Sequence, residues 1–210
     1  SVNLKLEYFS PTGSFKDRGT SVLINQAYMN GIEEFAEDSS GNAGASMSAY
    51  AANIGMKAHI FTPKTTPENK KNQIKIFGSE LHLIDGPREN STVEVKKFTK
   101  STGINYLSHN YNPFFIEGMK SFGHEVFNEF NADITDIIIP VGNGSLLIGA
   151  VKAYEELIKS KKISKMPKMH CVQVEGFSPI VKKFNSINWK FNEFSKTLAG
   201  GIAVSNPPRL

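Results

Sequence analysis

The sequence predicts an α/β protein of two lobes, each a parallel sheet covered by helices. Three observations predict it. Short β-prone runs alternate with longer stretches whose apolar residues recur at helical spacing. One run, "DIIIPV" (136–141), is apolar throughout, as a strand covered on both faces is. Turn-forming stretches, "SSGNAG" and "PVGNGS", stand where a strand hands over to a helix, and sheets of this kind bind ligands beyond the carboxyl ends of their strands.

In chain order, strands are expected at 4–9, 33–37, 57–63, 80–85, 136–141 and 169–175. Helices are expected at 16–29, 43–54, 67–77, 90–102, 113–130 and 145–159, where residues such as Val93 and Phe98 mark an apolar stripe. Residues 1–34 are expected to start a large lobe, 35–130 to form a small α/β lobe, and 131–210 to return to the large one. The chain opens on Ser and closes on "SNPPRL", which leads to the expectation of a longer protein continuing at both ends.

Composition narrows the class. Of the 210 residues 40% are hydrophobic and 21% charged, as in ordinary globular domains. The net charge of +4 is mild. The densest basic stretch, "KSKKISKMPK" (159–168), has no interleaved aromatics and contains a Pro, so it reads as a solvated linker and not as a nucleic-acid arm. Cys171 is the only cysteine, which excludes an intrachain disulfide and favours the cytoplasm; within "CVQVE" it reads as a small core residue. No apolar run is long enough to cross a membrane. His59, His82, His124 and His170 lack metal-ligand spacing and read as structural, so no metal is expected.

Three loops carry chemistry. In "SPTGSFKDRG" (10–19), Pro11, Thr12 and Gly13 form a turn and Ser14 is a candidate N-cap. Lys16 then falls in the first helical turn, where the helix dipole disfavours a cation by about 0.3–1 kcal/mol. The same field, with desolvation by Phe15, lowers the lysine pKa and favours the neutral amine that Schiff-base chemistry needs. A lysine that simply reaches solvent is the plain alternative. Asp17 suits a helix N-terminus, and Arg18 suits an ion pair within its lobe. In "EDSSGNAG" (37–44), two hydroxyls, a carboxamide and successive backbone N–H groups open a helix, either as an anion site or as an ordinary cap. In "PVGNGSLL" (140–147), Gly142 and Gly144 permit a tight turn and close backbone approach to a phosphate. Leu147 stands where a dinucleotide fingerprint requires a third glycine, and the Walker A sequence is absent. A phosphate-bearing aldehyde would use all three loops.

"SPTGSFKDRG", "SSGNAG", "NPFFIEGMKSF", "PVGNGSLL" and "TLAGGIAVSNPP", in this order, resemble the fold-type-II pyridoxal-phosphate-dependent enzymes of the tryptophan synthase β-like superfamily. "KLEYFSPTGSFKDRG" is the most specific piece and points to the threonine synthase-like branch. The resemblance implies that Lys16 carries pyridoxal 5'-phosphate covalently and shuttles the substrate α-proton, with Phe15 packed beneath it. It implies that Asn42 bonds the cofactor's 3-oxygen and that Ser40, Gly41, Asn42 and Ala43 grip the substrate carboxylate. Gly142, Asn143, Gly144, Ser145 and Leu146 would cradle the phosphate, and Gly201 and Ile202 would lie near the ring. A late Ser or Thr facing the pyridine nitrogen in relatives has no counterpart in this sequence.

The activity implied is that of a lyase in amino-acid biosynthesis, converting phosphohomoserine to threonine and phosphate. Serine or threonine dehydratase-like β-elimination, cysteine synthase-like β-replacement and a non-catalytic ligand-binding homologue are the alternatives. Phosphohomoserine would need a second anion site, for which Lys120 with Ser121 and His109 with Asn110 are candidates. The partners expected are a small amino-acid substrate and a second copy in a homodimer, with no nucleic acid and no membrane.

Overall fold

Parallel strands joined by single helices build the first part of the chain, and the direction of each crossover decides which face its helix covers. The structure, a computed structural model, describes residues 2–39, 41–192 and 195–208. It divides into two units, Ser1–Gly118 and Met119–Leu210.

In the first unit α1 (Lys16–Met29) precedes β1 (Glu34–Glu37), α2 (Asn42–Asn53), β2 (Lys57–Pro63), α3 (Glu68–Lys75), β3 (Glu80–Ile84), α4 (Arg88–Thr102) and β4 (Asn105–Tyr106). The strands lie in the order β3-β2-β1-β4, all parallel. From β1 the chain steps outward to β2 and β3, and α4 then carries it back to the far edge. Right-handed crossovers therefore put α2 and α3 on one face and α4 on the other. A Cβ on Gly44 of α2 would meet the Ile60 side chain at 3.4 Å, whereas Val95 of α4 packs with Ala36 and Phe61 on the opposite face. Covered twice, the central strands hide nearly everything: Phe35, Ala36, Glu37 and Ile60 are all 0% exposed.

Helix α5 (Pro113–Phe130) begins in the first unit and runs into the second, followed by β5 (Asp136–Pro140), α6 (Ser145–Lys159), β6 (Lys168–Val172) and α7 (Pro179–Phe184). Strands β5 and β6 pair in parallel, with Ile139 opposite Cys171. Small residues bring α5 and α6 together, since a Cβ on Gly149 would lie 2.3 Å from that of Met119. The basic linker expected before β6 is a turn after the Ser160 C-cap, and most of its residues are exposed.

The structure moves some expectations. Residues 4–9 form no strand; a short 3-10 helix, Glu7–Phe9, stands there. Its Tyr8 and Phe9 are exposed, and Glu7 is drawn to Arg18, so the apolar run finds no sheet edge to join. The β5 run is not buried on both faces within its two-stranded sheet, where Ile138 is 69% exposed. Cys171 is half-buried on β6 and not a core residue. Among the described residues, the two-residue β4, the short α7 and the 3-10 turns Asn131–Asp133 and Gly200–Ile202 escaped the sequence reading. No helix among the described residues is long and apolar enough to cross a membrane.

Candidate active site

Lys16 is the first residue of α1, and Phe15 occupies the N-cap position without a capping side chain. Ser14 is therefore not the cap; its hydroxyl is buried and has no hydrogen-bond partner among the described residues. The Lys16 ammonium lies 3.7 Å from the centre of the Phe15 ring. The lysine as a whole is half-buried, and enough protein surrounds its amine for desolvation to lower the pKa to about 7.

Asp17 does more than favour a helix start. Its carboxylate accepts from the Thr12 backbone N–H at 2.7 Å, the Thr12 hydroxyl at 2.6 Å and the Ser46 hydroxyl at 2.5 Å. The turn before Lys16 is thereby bound to its own helix and to α2. Arg18 makes the ion pair expected of it, a fork onto Glu7 at 2.7 and 2.9 Å. The second turn of α5 also presses on α1: a Cβ on Gly118 would lie 2.1 Å from the Arg18 carbonyl oxygen.

The second loop leaves β1 beside β4, where the strand order reverses direction. Such switch points are where open α/β sheets hold ligands. Gly41 is the N-cap of α2, and Asn42 and Ala43 are its first helical residues, so their N–H groups belong to the unpaired end of the helix. Ser40 lies outside the described residues. Lys70 donates to Asn42 Oδ1 at 2.9 Å, which leaves the amide NH2 as the free donor. A Cβ on Gly44 would sit 2.3 Å from the Ser39 carbonyl oxygen, so only glycine lets the loop lie down on the helix.

Behind this loop lies a buried polar group that the sequence reading missed. Glu37 is fully buried and meets His109 Nδ1 at 2.5 Å, while the His109 backbone N–H donates to its other oxygen at 3.2 Å. Burial, with the neighbouring Asp38 charge, pushes the Glu37 carboxyl well above its ordinary range. Burial, then the Lys16 charge, holds the His109 imidazolium far below its own. Both shifts favour the uncharged forms, a carboxyl facing a neutral imidazole. Asp38 accepts from the hydroxyls of Thr92 and Tyr106 and, through its carbonyl, from Arg88.

In the second unit β5 gives way to the glycine loop at Val141, whose N–H donates to Val172 O at 2.8 Å. A Cβ on Gly142 would be crowded, meeting Val204 Cγ2 at 3.2 Å and Gly201 O and Ile202 Cα at 3.4 Å. Gly201 and Ile202, in the 3-10 turn Gly200–Ile202, thus lie directly against the loop. Asn143 follows, and Gly144 takes φ +85°, a left-handed conformation suited to glycine, as the N-cap of α6. Ser145 and Leu146 open α6 as buried residues. The residues proposed for a second anion site are engaged elsewhere. Lys120 donates to Glu156 at 2.7 Å, His109 is held by Glu37, and the Asn110 N–H donates to Ser108 Oγ at 3.3 Å.

The fold is that of the pyridoxal-phosphate enzymes built on paired parallel sheets. A sequence profile of the family described as "Pyridoxal-phosphate dependent enzyme" matches residues 1–210, and the chain belongs to that family. It is 33% identical to a threonine synthase of Methanocaldococcus jannaschii, over 97% of this chain and 51% of that protein. It is also 33% identical to a threonine synthase of Bacillus sp. (strain ULM1), over 97% of this chain and 56% of that protein. Among solved structures, the processed form of threonine deaminase isoform 2 from Solanum lycopersicum superposes with a TM-score of 0.81 at 22% identity, over 96% of this chain and 54% of that one. The last likeness speaks to the fold. The chain spans about half the length of the curated relatives it matches.

The family cofactor is pyridoxal phosphate, and the residues present fit it. An amine with a pKa lowered to about 7 is a nucleophile for an aldehyde near neutral pH. The buried, unpartnered Ser14 hydroxyl beside it is a donor awaiting an acceptor. The Gly142–Gly144 turn leads into the N-terminus of α6, and a glycine turn at a helix N-terminus is the arrangement that holds phosphates.

Proposed function

We propose that the protein is a threonine synthase-like lyase, which releases phosphate from phosphohomoserine and adds water at the β carbon. The observation that carries this reading is the 33% identity to a threonine synthase across 97% of the chain. The lowered Lys16 pKa supports it, because an enzyme of this kind needs a base that is neutral near pH 7.

Lys16 would hold the cofactor aldehyde, with Phe15 against the amine, and Gly142, Asn143, Gly144, Ser145 and Leu146 would hold its phosphate. Asn42 would donate its amide N–H to the 3-oxygen, because Lys70 already occupies Oδ1. Gly201 would border the ring. When bound, pyridoxal phosphate supplies an electron sink for the carbanion beside the substrate carboxylate. Lys16 Nζ takes the proton from the substrate α carbon and returns one later in the reaction. Ser40, Gly41, Asn42 and Ala43 would bind the substrate carboxylate at the positive end of α2, the Gly41 N–H leaving Ser39 Oγ to do so. The neutral Glu37–His109 pair lies behind them and adds no charge to compete with that carboxylate.

The test has two stages. Wild type and Lys16→Ala are mixed with pyridoxal phosphate, treated with borohydride and digested. A cofactor mass increment on the Lys16 peptide, with a visible band absent from Lys16→Ala, is the expected result. The loaded protein is then offered phosphohomoserine, threonine and serine. Phosphate and threonine from the first substrate support the reading, whereas keto acid from serine or threonine replaces it with a dehydratase-like activity.

A further inference from the structure

We propose that His59, Glu80 and His82 form a divalent-metal site, best matched to zinc, at the amino-terminal edge of the first unit's sheet. In sequence the two histidines stand 23 residues apart and give no metal signature. The parallel register makes the site. His59 pairs with Glu80 and Phe61 with His82, so all three side chains project from the face that α4 covers.

The donor atoms have metal-site spacing. His59 Nδ1 lies 3.0 Å from His82 Nε2 and 3.5 Å from one Glu80 oxygen, and His82 Nε2 lies 3.6 Å from the other. Tetrahedral zinc with bonds of about 2.0 Å sets its ligands about 3.3 Å apart. Two imidazoles and a carboxylate are a donor set zinc accepts, with water completing the shell. His59 is buried, His82 is partly so and Glu80 is 53% exposed, so the cluster opens to solvent on the carboxylate side.

The surroundings support the ligands. His59 Nε2 donates to Glu34 Oε1 at 2.7 Å. That bond fixes the tautomer and leaves the Nδ1 lone pair directed at His82, the outer-shell carboxylate partnership typical of metal-bound histidine. Phe61 stacks on His82 at 4.2 Å and 7°, and Phe98 lies 5.0 and 5.4 Å from the two imidazoles. Both rings therefore have fixed planes. Lys57 contacts Glu34 at 2.7 Å and Glu80 at 3.5 Å, and its side chain is 59% exposed. It can release Glu80 to the metal while keeping Glu34.

Without metal, His82 Nε2–H donates to His59 Nδ1. On metal binding the neutral His82 ring changes tautomer: its proton moves by way of solvent to Nδ1, Nε2 contributes its lone pair, and no net proton is released. Glu34, Lys57 and Glu80 each open their strands, whereas the loops around Glu37 and Asn42 follow carboxyl ends. The metal site is therefore distinct from the cofactor residues and would tie β2 to β3.

Zinc chloride is titrated into the full chain against a colorimetric chelator, with no pyridoxal phosphate added. One zinc per chain is expected. His82→Ala and Glu80→Gln should each weaken binding about tenfold or more, with His170→Ala unchanged. X-ray absorption of the zinc-loaded chain should report two imidazoles. Absence of stoichiometric uptake overturns the proposal, as does uptake that survives both substitutions. If His82→Ala fails to fold by circular dichroism, Glu80→Gln at its exposed position decides the matter.

Discussion

Glu37 Oε1 and His109 Nδ1 lie 2.5 Å apart in the interior of the first unit, 72 residues apart in sequence. The pair is neutral because burial opposes both charged forms, and the nearby Lys16 charge further opposes the imidazolium. The carboxyl keeps its proton where the unfolded chain releases it above about pH 4.5, so this group costs stability as pH rises through that window.

Glu37→Gln copies the protonated acid. Its amide donates to His109 Nδ1 and its oxygen accepts the His109 backbone N–H. The variant should match wild type near pH 4.5 and gain on it as pH rises, read as the difference in thermal midpoint. Glu37→Ala should instead lose roughly 2–4 kcal/mol, from a cavity and two unpaired donor or acceptor positions.

Lys16 titrates the other way. Its folded pKa of about 7 lies below the unfolded 10.5, so the unfolded chain holds the extra proton between those values and wild type gains stability as pH rises through them. Lys16→Met should therefore exceed wild type in stability below pH 7, with the advantage shrinking toward pH 10.5. The rate at which pyridoxal phosphate is captured by wild type should rise with a midpoint near pH 7, followed by stopped-flow absorbance.

The parts of the site that lie within one turn of chain were legible in the sequence. Lys16, Asn42 and Gly144 could be found because each sits at a strand-to-helix or loop-to-helix junction whose backbone chemistry is local. The partners of those residues were not. Asp17 bonds Ser46 from 29 residues away, Lys70 reaches Asn42 across 28, and Glu37 meets His109 only after β4 pairs with β1. Those meetings depend on strand order, which periodicity does not carry. The segment 4–9 failed for a related reason. Its apolar residues suit a strand, but Arg18 holds Glu7, and the segment ends in a 3-10 turn with exposed rings.

Asp17→Ala should cost roughly 2–4 kcal/mol, since the Thr12 N–H and the Thr12 and Ser46 hydroxyls lose their common acceptor. It should also slow borohydride-fixed cofactor capture, because the turn carrying Lys16 is no longer pinned to α2. Denaturant melts and peptide mass spectra read the two effects separately.

Gly144→Ala places a Cβ at φ +85° and should cost about 1–2 kcal/mol. Gly142→Ala presses on Val204 and the Gly201 carbonyl, and should weaken cofactor retention more than it lowers the thermal midpoint. Equilibrium dialysis against pyridoxal phosphate distinguishes the two.

The strand order also dictates a sequence of assembly. Strands β1, β2 and β3 neighbour one another in the order of synthesis, so each can dock on its predecessor across one short helical connection. β4 alone returns over the width of the sheet to the far side of β1, and its docking closes the longest strand-to-strand loop of the sheet. The Glu37–His109 contact at the end of β1 is made by that same event. The polar surroundings of Lys16 that depend on His109 are therefore expected to form only after β1, β2 and β3 have paired.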